Sequence, residues 1–136
     1  MRAHPTPERV ANIDVATLHA RRYSRAKAGY LIDAAAAIAR GDLDVERLHL
    51  GSAVAAEKTL LAQRGIGLWT ARYILLRVGF ADAAPIGDSA LATGLQRLHK
   101  LASRPGPEET TRLMAAFAPH RSLATMHLWN SLQDAA

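Results

Sequence analysis

The chain has 136 residues, enough for one domain with a modest core, and its 49% hydrophobic and 21% charged content is globular rather than disordered. It contains no cysteine, which excludes a disulfide framework, a thiolate zinc site and an iron–sulfur cluster and fits a reducing compartment. Net charge is +5, and 14 of the 17 basic residues are arginine, a bias that suits bidentate phosphate contacts and that GC-rich codon usage explains equally well.

In chain order, Thr6 followed by Pro7 and Glu8 is an N-cap with proline at the first helical position, predicting a short helix through Val10 and Ala11. Asp14 caps a further turn, "VATLHA". Ser24 opens "RAKAGYLIDAAAAIARG", in which Ala28, Leu31, Ile32, Ala35 and Ile38 form an apolar stripe and Gly41 ends the helix. Ser52 caps "AVAAEKTLLAQR", with Val54, Leu60 and Leu61 as its apolar residues and Gly65 as its stop. A helix is predicted over 68–78, closed by Gly79. "ADAAPIGD" is a loop, and Asp88 stands as the N-cap of "SALATGLQRLHKLA". "SRPGPEE" breaks the chain, "ETTRLMAAFA" is helical, Pro119 interrupts, and "RSLATMHLWNSLQ" makes the last helix. With no alternating strand pattern and no repeat, the prediction is an all-α single domain over 1–136, an orthogonal bundle of short helices. No apolar run approaches the roughly 18 residues of a membrane span, and "MRAHPTPERV" has no apolar leader core. A cytoplasmic, nucleoid-associated protein is expected.

Helix, then "RGIG", then helix, over about 53–78, is the layout of a helix–hairpin–helix. So short a joint requires positive φ, which glycine supplies cheaply. The bare N–H groups of Gly65, Gly67 and the following turn then stand at the positive end of a helix dipole, where a phosphate oxygen is held without regard to sequence. On the residues alone, an ordinary αα-hairpin with a glycine C-cap is the commoner reading, because short Gly-x-Gly turns are frequent.

The longer stretch "RGIGLWTARYILLRVGFADAAPIGD" resembles the signature of the helix–hairpin–helix (HhH-GPD) base-excision DNA glycosylases, and within them the alkylated-base branch of 3-methyladenine DNA glycosylase II (AlkA) type. The matching features are the "GIGLWTARY" hairpin and an aspartate about 15 residues later in the loop Pro85, Ile86, Gly87, Asp88. "PTPERVANID", "RAKAGYLIDAAAAIARGDLD" and "APHRSLATMHLWNSL" extend the similarity over nearly the whole chain.

The resemblance implies roles. Asp88 corresponds to the catalytic aspartate, whose carboxylate stabilises the oxocarbenium-like cation formed as an N-glycosidic bond breaks, or orients the attacking water. By its residue type and place it is also a plain N-cap, and the two roles are compatible. Trp69, Tyr73 and Trp129 match the aromatic lining of the alkylbase pocket. Trp69 and Tyr73, four apart, share a helix face, and π faces attract a cationic base by about 0.5–2 kcal/mol. All three are also ordinary core candidates. Relatives that cut the backbone carry a Schiff-base lysine where counting back 19 from Asp88 lands on Trp69, and the lysines here are Lys27, Lys58 and Lys100. Monofunctional hydrolysis in duplex DNA to an abasic site is therefore expected. Gly65, Ile66, Gly67, Thr70, Arg64 and Arg72 form the expected phosphate-binding surface, extended by Arg77, although each arginine also fits a solvated helix face. Arg121 matches a recurrent structural arginine. His120 and His127 share a face without a third ligand, so no metal site is expected. Family members can hold an alkali cation through hairpin carbonyls, here those around Arg64 and Ile66; no other cofactor is expected.

Two departures stand out. Gln63 and Arg64 replace the usual Leu-Pro before the first glycine, and Leu68 replaces a small, basic or proline residue. Full-length relatives also carry an α/β domain and further helices upstream, including a wedge residue that fills the gap left by a flipped base. The chain is thus expected to be the C-terminal, catalytic-side part of an N-terminally truncated glycosylase domain, its bared surfaces inviting self-association or a complementing chain. The alternatives are a truncated, non-catalytic helix–hairpin–helix module that binds duplex DNA, or a helical protein-interaction domain.

Overall fold

The computed structural model describes residues 4–133, and its regular elements are helical, with no strand among the described residues. The helices are α1 (Pro7–Ala11), α2 (Val15–Ala20), α3 (Arg25–Arg40), α4 (Ala53–Leu61), α5 (Leu68–Arg77), α6 (Ser89–His99), α7 (Pro107–Met114) and α8 (Arg121–Gln133), with 3₁₀ turns at Leu48–Leu50 and Ala115–Phe117. None is long and apolar enough to cross a membrane.

Local chemistry sets most starts. Thr6, Asp14, Ser24, Ser52 and Asp88 each accept a backbone N–H three residues on, a cap worth about 1 kcal/mol. Several ends differ from expectation. α4 stops at Leu61, and residues 62–64 turn instead, with the Gln63 N–H bonded to Leu60 O at 3.0 Å. The next helix ends at Arg77 rather than 78, and α6 ends at His99. α7 begins at Pro107, ahead of the predicted "ETTRLM", because a proline at the first helical position starts a helix as readily as an internal one breaks it.

The predicted apolar faces need correcting too. Val54 is 80% exposed, and Leu31 and Leu61 are also exposed, whereas Ala37 and Ala56 are buried. Ala56 and Leu60, four apart, define the inward face of α4. Val54 lies two positions from Ala56, about 200° around the helix, and so faces outward. Residues 42–51 received no predicted element, yet Leu43 and Leu48 there are core.

Two apolar clusters divide the molecule. One gathers Ala37, Leu43, Leu60, Ala71 and Leu75 around the α4–α5 hairpin; the other gathers Leu91, Leu95, Met114 and Leu128 from α6, α7 and α8. The loop between α5 and α6 feeds both, with Ala83 in the first and Ala84 in the second. α8 does likewise, sending Met126 and Trp129 to the first and Leu128 to the second. The seam between the clusters is where the candidate site lies.

Candidate active site at the helix–hairpin–helix

The hairpin connector spans residues 62–67. Gly65 has φ +85°, and a Cβ there would stand 2.2 Å from Tyr30 Cγ. Both its backbone conformation and its contact with α3 therefore require glycine. Gly67 differs from expectation: it is extended (φ −89°, ψ 175°), it is the N-cap of α5, and a Cβ there would meet nothing within 4 Å. No side chain caps α5. Among the described residues the N–H groups of Gly67, Leu68, Trp69 and Thr70 have no acceptor and stand at the positive end of the helix. Ile66 anchors the turn, its side chain packed on the hairpin core and its N–H bonded to Gln63 O at 3.1 Å.

The predicted arginines are occupied. Arg64 Nη1 donates to Asp33 at 2.9 Å, and its guanidinium lies 5.2 Å from the Tyr30 ring centroid. Arg72 Nε donates to Glu57 at 3.0 Å, bracing α5 against α4. Each pair uses one of a guanidinium's five N–H donors, and the Arg64 side chain is 70% exposed, so these cations stand with donors to spare beside the backbone N–H groups. Arg77 is exposed.

The aromatic residues and the aspartate come together. Trp69 and Tyr73 stack with centroids 5.5 Å apart, and Tyr73 meets Trp129 at 5.9 Å with rings tilted by 40°. Trp129 Nε1–H then donates to Asp88 Oδ1 at 3.0 Å. The same oxygen accepts the Leu91 N–H at 2.7 Å, while Oδ2 has no hydrogen-bond partner among the described residues. Trp69, at one end of this aromatic series, is 43% exposed, and the carboxylate at the other end keeps its second oxygen uncommitted. This arrangement can bind an electron-poor ring and oppose a positive charge forming next to it.

Asp88 is steadied through its loop. Ser122, buried at the start of α8, accepts from the Ala83 N–H at 2.9 Å and donates toward the Phe80 and Ala83 carbonyls, while its own N–H reaches Ala81 O at 3.0 Å. Beside it Arg121 Nε and Nη2 donate to Asp82 Oδ1 and Oδ2 at 2.6 and 2.7 Å. These hydrogen bonds from Arg121 hold the Asp82 carboxyl below its ordinary range, and the carboxylate raises Arg121 in turn. Gly94 lets α6 approach α8 closely, since a Cβ there would lie 3.0 Å from Leu128 Cβ. Sequence reading missed Tyr30, Asp82, Ser122 and Gly94. Only Gly94 carried a local signal, a glycine inside a helix.

A larger apolar groove of about 860 Å³ runs between α6 and α8, walled by Leu98, Phe117, Leu123 and Leu128, with His120 and His127 at its edge. It includes neither Asp88 nor any of the three site aromatics. Among the described residues no three His, Asp or Glu side chains are arranged to hold a metal ion.

The fold and site define a helix–hairpin–helix domain with an N-cap aspartate bonded to an aromatic cluster. Residues 1–120 match the model of the HhH-GPD superfamily base excision DNA repair proteins, and the chain belongs to that family. It is 33% identical over 129 residues to a DNA-3-methyladenine glycosylase of Bacillus subtilis (strain 168), covering 94% of this chain and 43% of that protein. It is 34% identical over 125 residues to DNA-3-methyladenine glycosylase 2 of Escherichia coli (strain K12), covering 92% and 42%. The solved structure of the Schizosaccharomyces pombe 3-methyladenine DNA glycosylase Mag1 in complex with abasic DNA superposes with a TM-score of 0.87 at 27% identity, covering 95% of this chain and 64% of Mag1. The chain thus spans less than half the length of the two bacterial relatives.

Proposed function

We propose that the protein is a monofunctional glycosylase that hydrolyses the N-glycosidic bond of alkylated, 3-methyladenine-like bases in duplex DNA. The observation that carries this reading is the 3.0 Å hydrogen bond from Trp129 Nε1 to Asp88 Oδ1, which ties the acid to the aromatic cleft. The names of the family's members among its relatives point the same way.

In the proposed reaction the hairpin N–H groups from Gly67 to Thr70 grip a phosphate, and a nucleotide leaves the base stack at a cost of a few kcal/mol. Trp69, Tyr73 and Trp129 receive the damaged base, whose positive charge favours the π faces over those of a neutral base. As the C1′–N bond lengthens, its electron pair leaves with the base and the sugar becomes cationic. Asp88 Oδ2 faces that charge, while Oδ1 stays fixed by Leu91 and Trp129. Water then adds its hydroxyl to C1′, its proton going to the departed base where that base leaves as an anion and to solvent where it leaves neutral, and an abasic site remains. No lysine lies within residues 62–73, so no Schiff-base strand cleavage follows.

An alkali cation at the hairpin belongs to the same proposal. Among the described residues the Arg64 and Ile66 carbonyls accept no backbone hydrogen bond, and such oxygens suit a hard cation, which would supply added positive charge beside the phosphate.

The test is abasic-site release from methylated duplex DNA by the wild type and by Asp88→Asn. Asparagine retains the N-cap but loses the charge, so the fold should persist while release falls by at least about a hundredfold. If duplex binding persists but neither protein releases base, the non-catalytic binding module is the better account; equal, non-zero release would refute the role given to Asp88.

A further inference from the structure

A second cleft, of about 260 Å³, opens on Asp88 and is walled by Gly87, Ser89 and Ala92 on one side and by Arg104, Pro105 and Pro107 on the other. It contains none of the three aromatic residues. Arg104 precedes a rigid support: Pro105 is buried, its carbonyl accepts the Thr110 hydroxyl at 3.4 Å, and the rings of Pro105 and Pro107 fix their own φ. Arg40, Arg64, Arg72, Arg112 and Arg121 each hold a carboxylate, whereas among the described residues Arg104, like Arg77 and Arg97, forms no ion pair, not even with Asp88 on the same cleft. The cleft therefore presents a guanidinium available to an external anion and, beside it, a carboxylate oxygen available to an external cation.

We infer that Arg104 binds the phosphodiester adjoining the flipped nucleotide in this cleft, which includes Asp88 but none of the aromatic residues of the base pocket. The inference rests on the glycosylase reading and adds a substrate-binding residue to it. A sugar positioned over Asp88 with its base among the aromatic residues must carry a phosphodiester along the remaining wall. An aspartate so near a phosphate repels it, and a cation in the same cleft offsets that repulsion. A planar guanidinium engages two phosphate oxygens together, which a lysine ammonium cannot match.

The experiment compares wild type, R104A, R104K and the control R97A, whose arginine lines the apolar groove instead. Affinity is measured by fluorescence anisotropy across a salt series, for a duplex with a tetrahydrofuran abasic analogue and for the same duplex undamaged. R104A should lose about tenfold affinity for the abasic duplex, and its log affinity against log salt slope should flatten by about one. R104K should restore most of the slope but only part of the affinity. R97A, which removes the same charge, should stay within about twofold of wild type on both duplexes. R104A matching R97A, or losing affinity equally on both duplexes, overturns the inference while leaving the glycosylase reading intact. A wild type that does not prefer the abasic duplex overturns both.

Discussion

Gly65→Ala should separate the hairpin's two glycines into a structural and a ligand-facing one. Alanine at φ +85° costs about 1 kcal/mol in the left-handed region. Its Cβ would lie 2.2, 2.4 and 2.7 Å from Tyr30 Cγ, Cδ2 and Cβ. The last is the root of the side chain, so rotation of the ring cannot clear it, and α3 or the hairpin must move. Such overpacking costs about 1–3 kcal/mol, giving about 2–4 in all. For a chain of this size that is a fall in melting temperature of roughly 6–16 °C. Gly67→Ala meets open space at an ordinary φ and loses only the glycine N-cap preference, less than about 1 kcal/mol. It should nonetheless weaken DNA binding, because the new methyl stands where a phosphate approaches the first turn of α5. Differential scanning calorimetry of G65A, G67A, Y30A and the double variant G65A/Y30A measures these values. The double-variant cycle should show about 1–3 kcal/mol of coupling between positions 65 and 30. Equal melting of G65A and G67A, or no coupling to Tyr30, would refute the reasoning.

Asp82→Asn should destabilise the fold by about 1 kcal/mol, a modest value because both partners of the ion pair are about one-third exposed to screening solvent. The sign with pH follows from the depressed carboxyl. Its contribution is complete above the ordinary value of 3.8 and is lost as pH falls through the lower folded value, so wild type and variant should converge in thermal stability in strong acid. Trp129→Phe keeps a ring against Tyr73 but removes the donor to Asp88. The single-turnover rate of base release should fall by about tenfold or more, with duplex affinity changed far less, and an unchanged rate would count against an orienting role. Gly94→Ala pushes a methyl against Leu128 Cβ and its carbonyl at 3.0 and 3.2 Å. It should cost about 1–3 kcal/mol in chemical denaturation and slow base release as well, because α6 and α8 carry Asp88 and Trp129.

What could be read in the sequence follows the range of the forces involved. The caps at Thr6, Asp14, Ser24, Ser52 and Asp88 act over three residues, and each was legible as a residue type in the right place. The inward faces were not. Helices of 5 to 10 residues hold too few turns to fix a phase, and alanines supply seven of the buried residues beside nine leucines, so Val54 and Leu61 read as buried when they are not. The aromatic and acidic members of the site were identified by resemblance, whereas their contacts were invisible, since Trp129 and Asp88 stand 41 residues apart. Arg64 and Arg72 illustrate the converse. Their type suggested phosphate, but the carboxylates they pair with, Asp33, 31 residues upstream, and Glu57, 15 upstream, lie beyond the reach of local pattern.

The N-cap and catalytic readings of Asp88 are two uses of one geometry. A cap fixes the carboxylate through the Leu91 N–H on Oδ1, and Trp129 engages that same oxygen, so the acid is immobilised without occupying Oδ2. The bonds that immobilise it come from different parts of the fold. Leu91 belongs to the α6–α8 cluster and Trp129 packs on the hairpin cluster, while Ser122 and Arg121 tie the intervening loop to α8. Any slippage between the two clusters would therefore move the indole and the acid apart before either cluster lost its own packing. Within the α6–α8 cluster a glycine at position 94 adds a second control, since it sets the distance between the helices on which the two groups ride. The same dependence makes the ratio of lost activity to lost stability the informative quantity, since a substitution along the seam should lower the first well before the second.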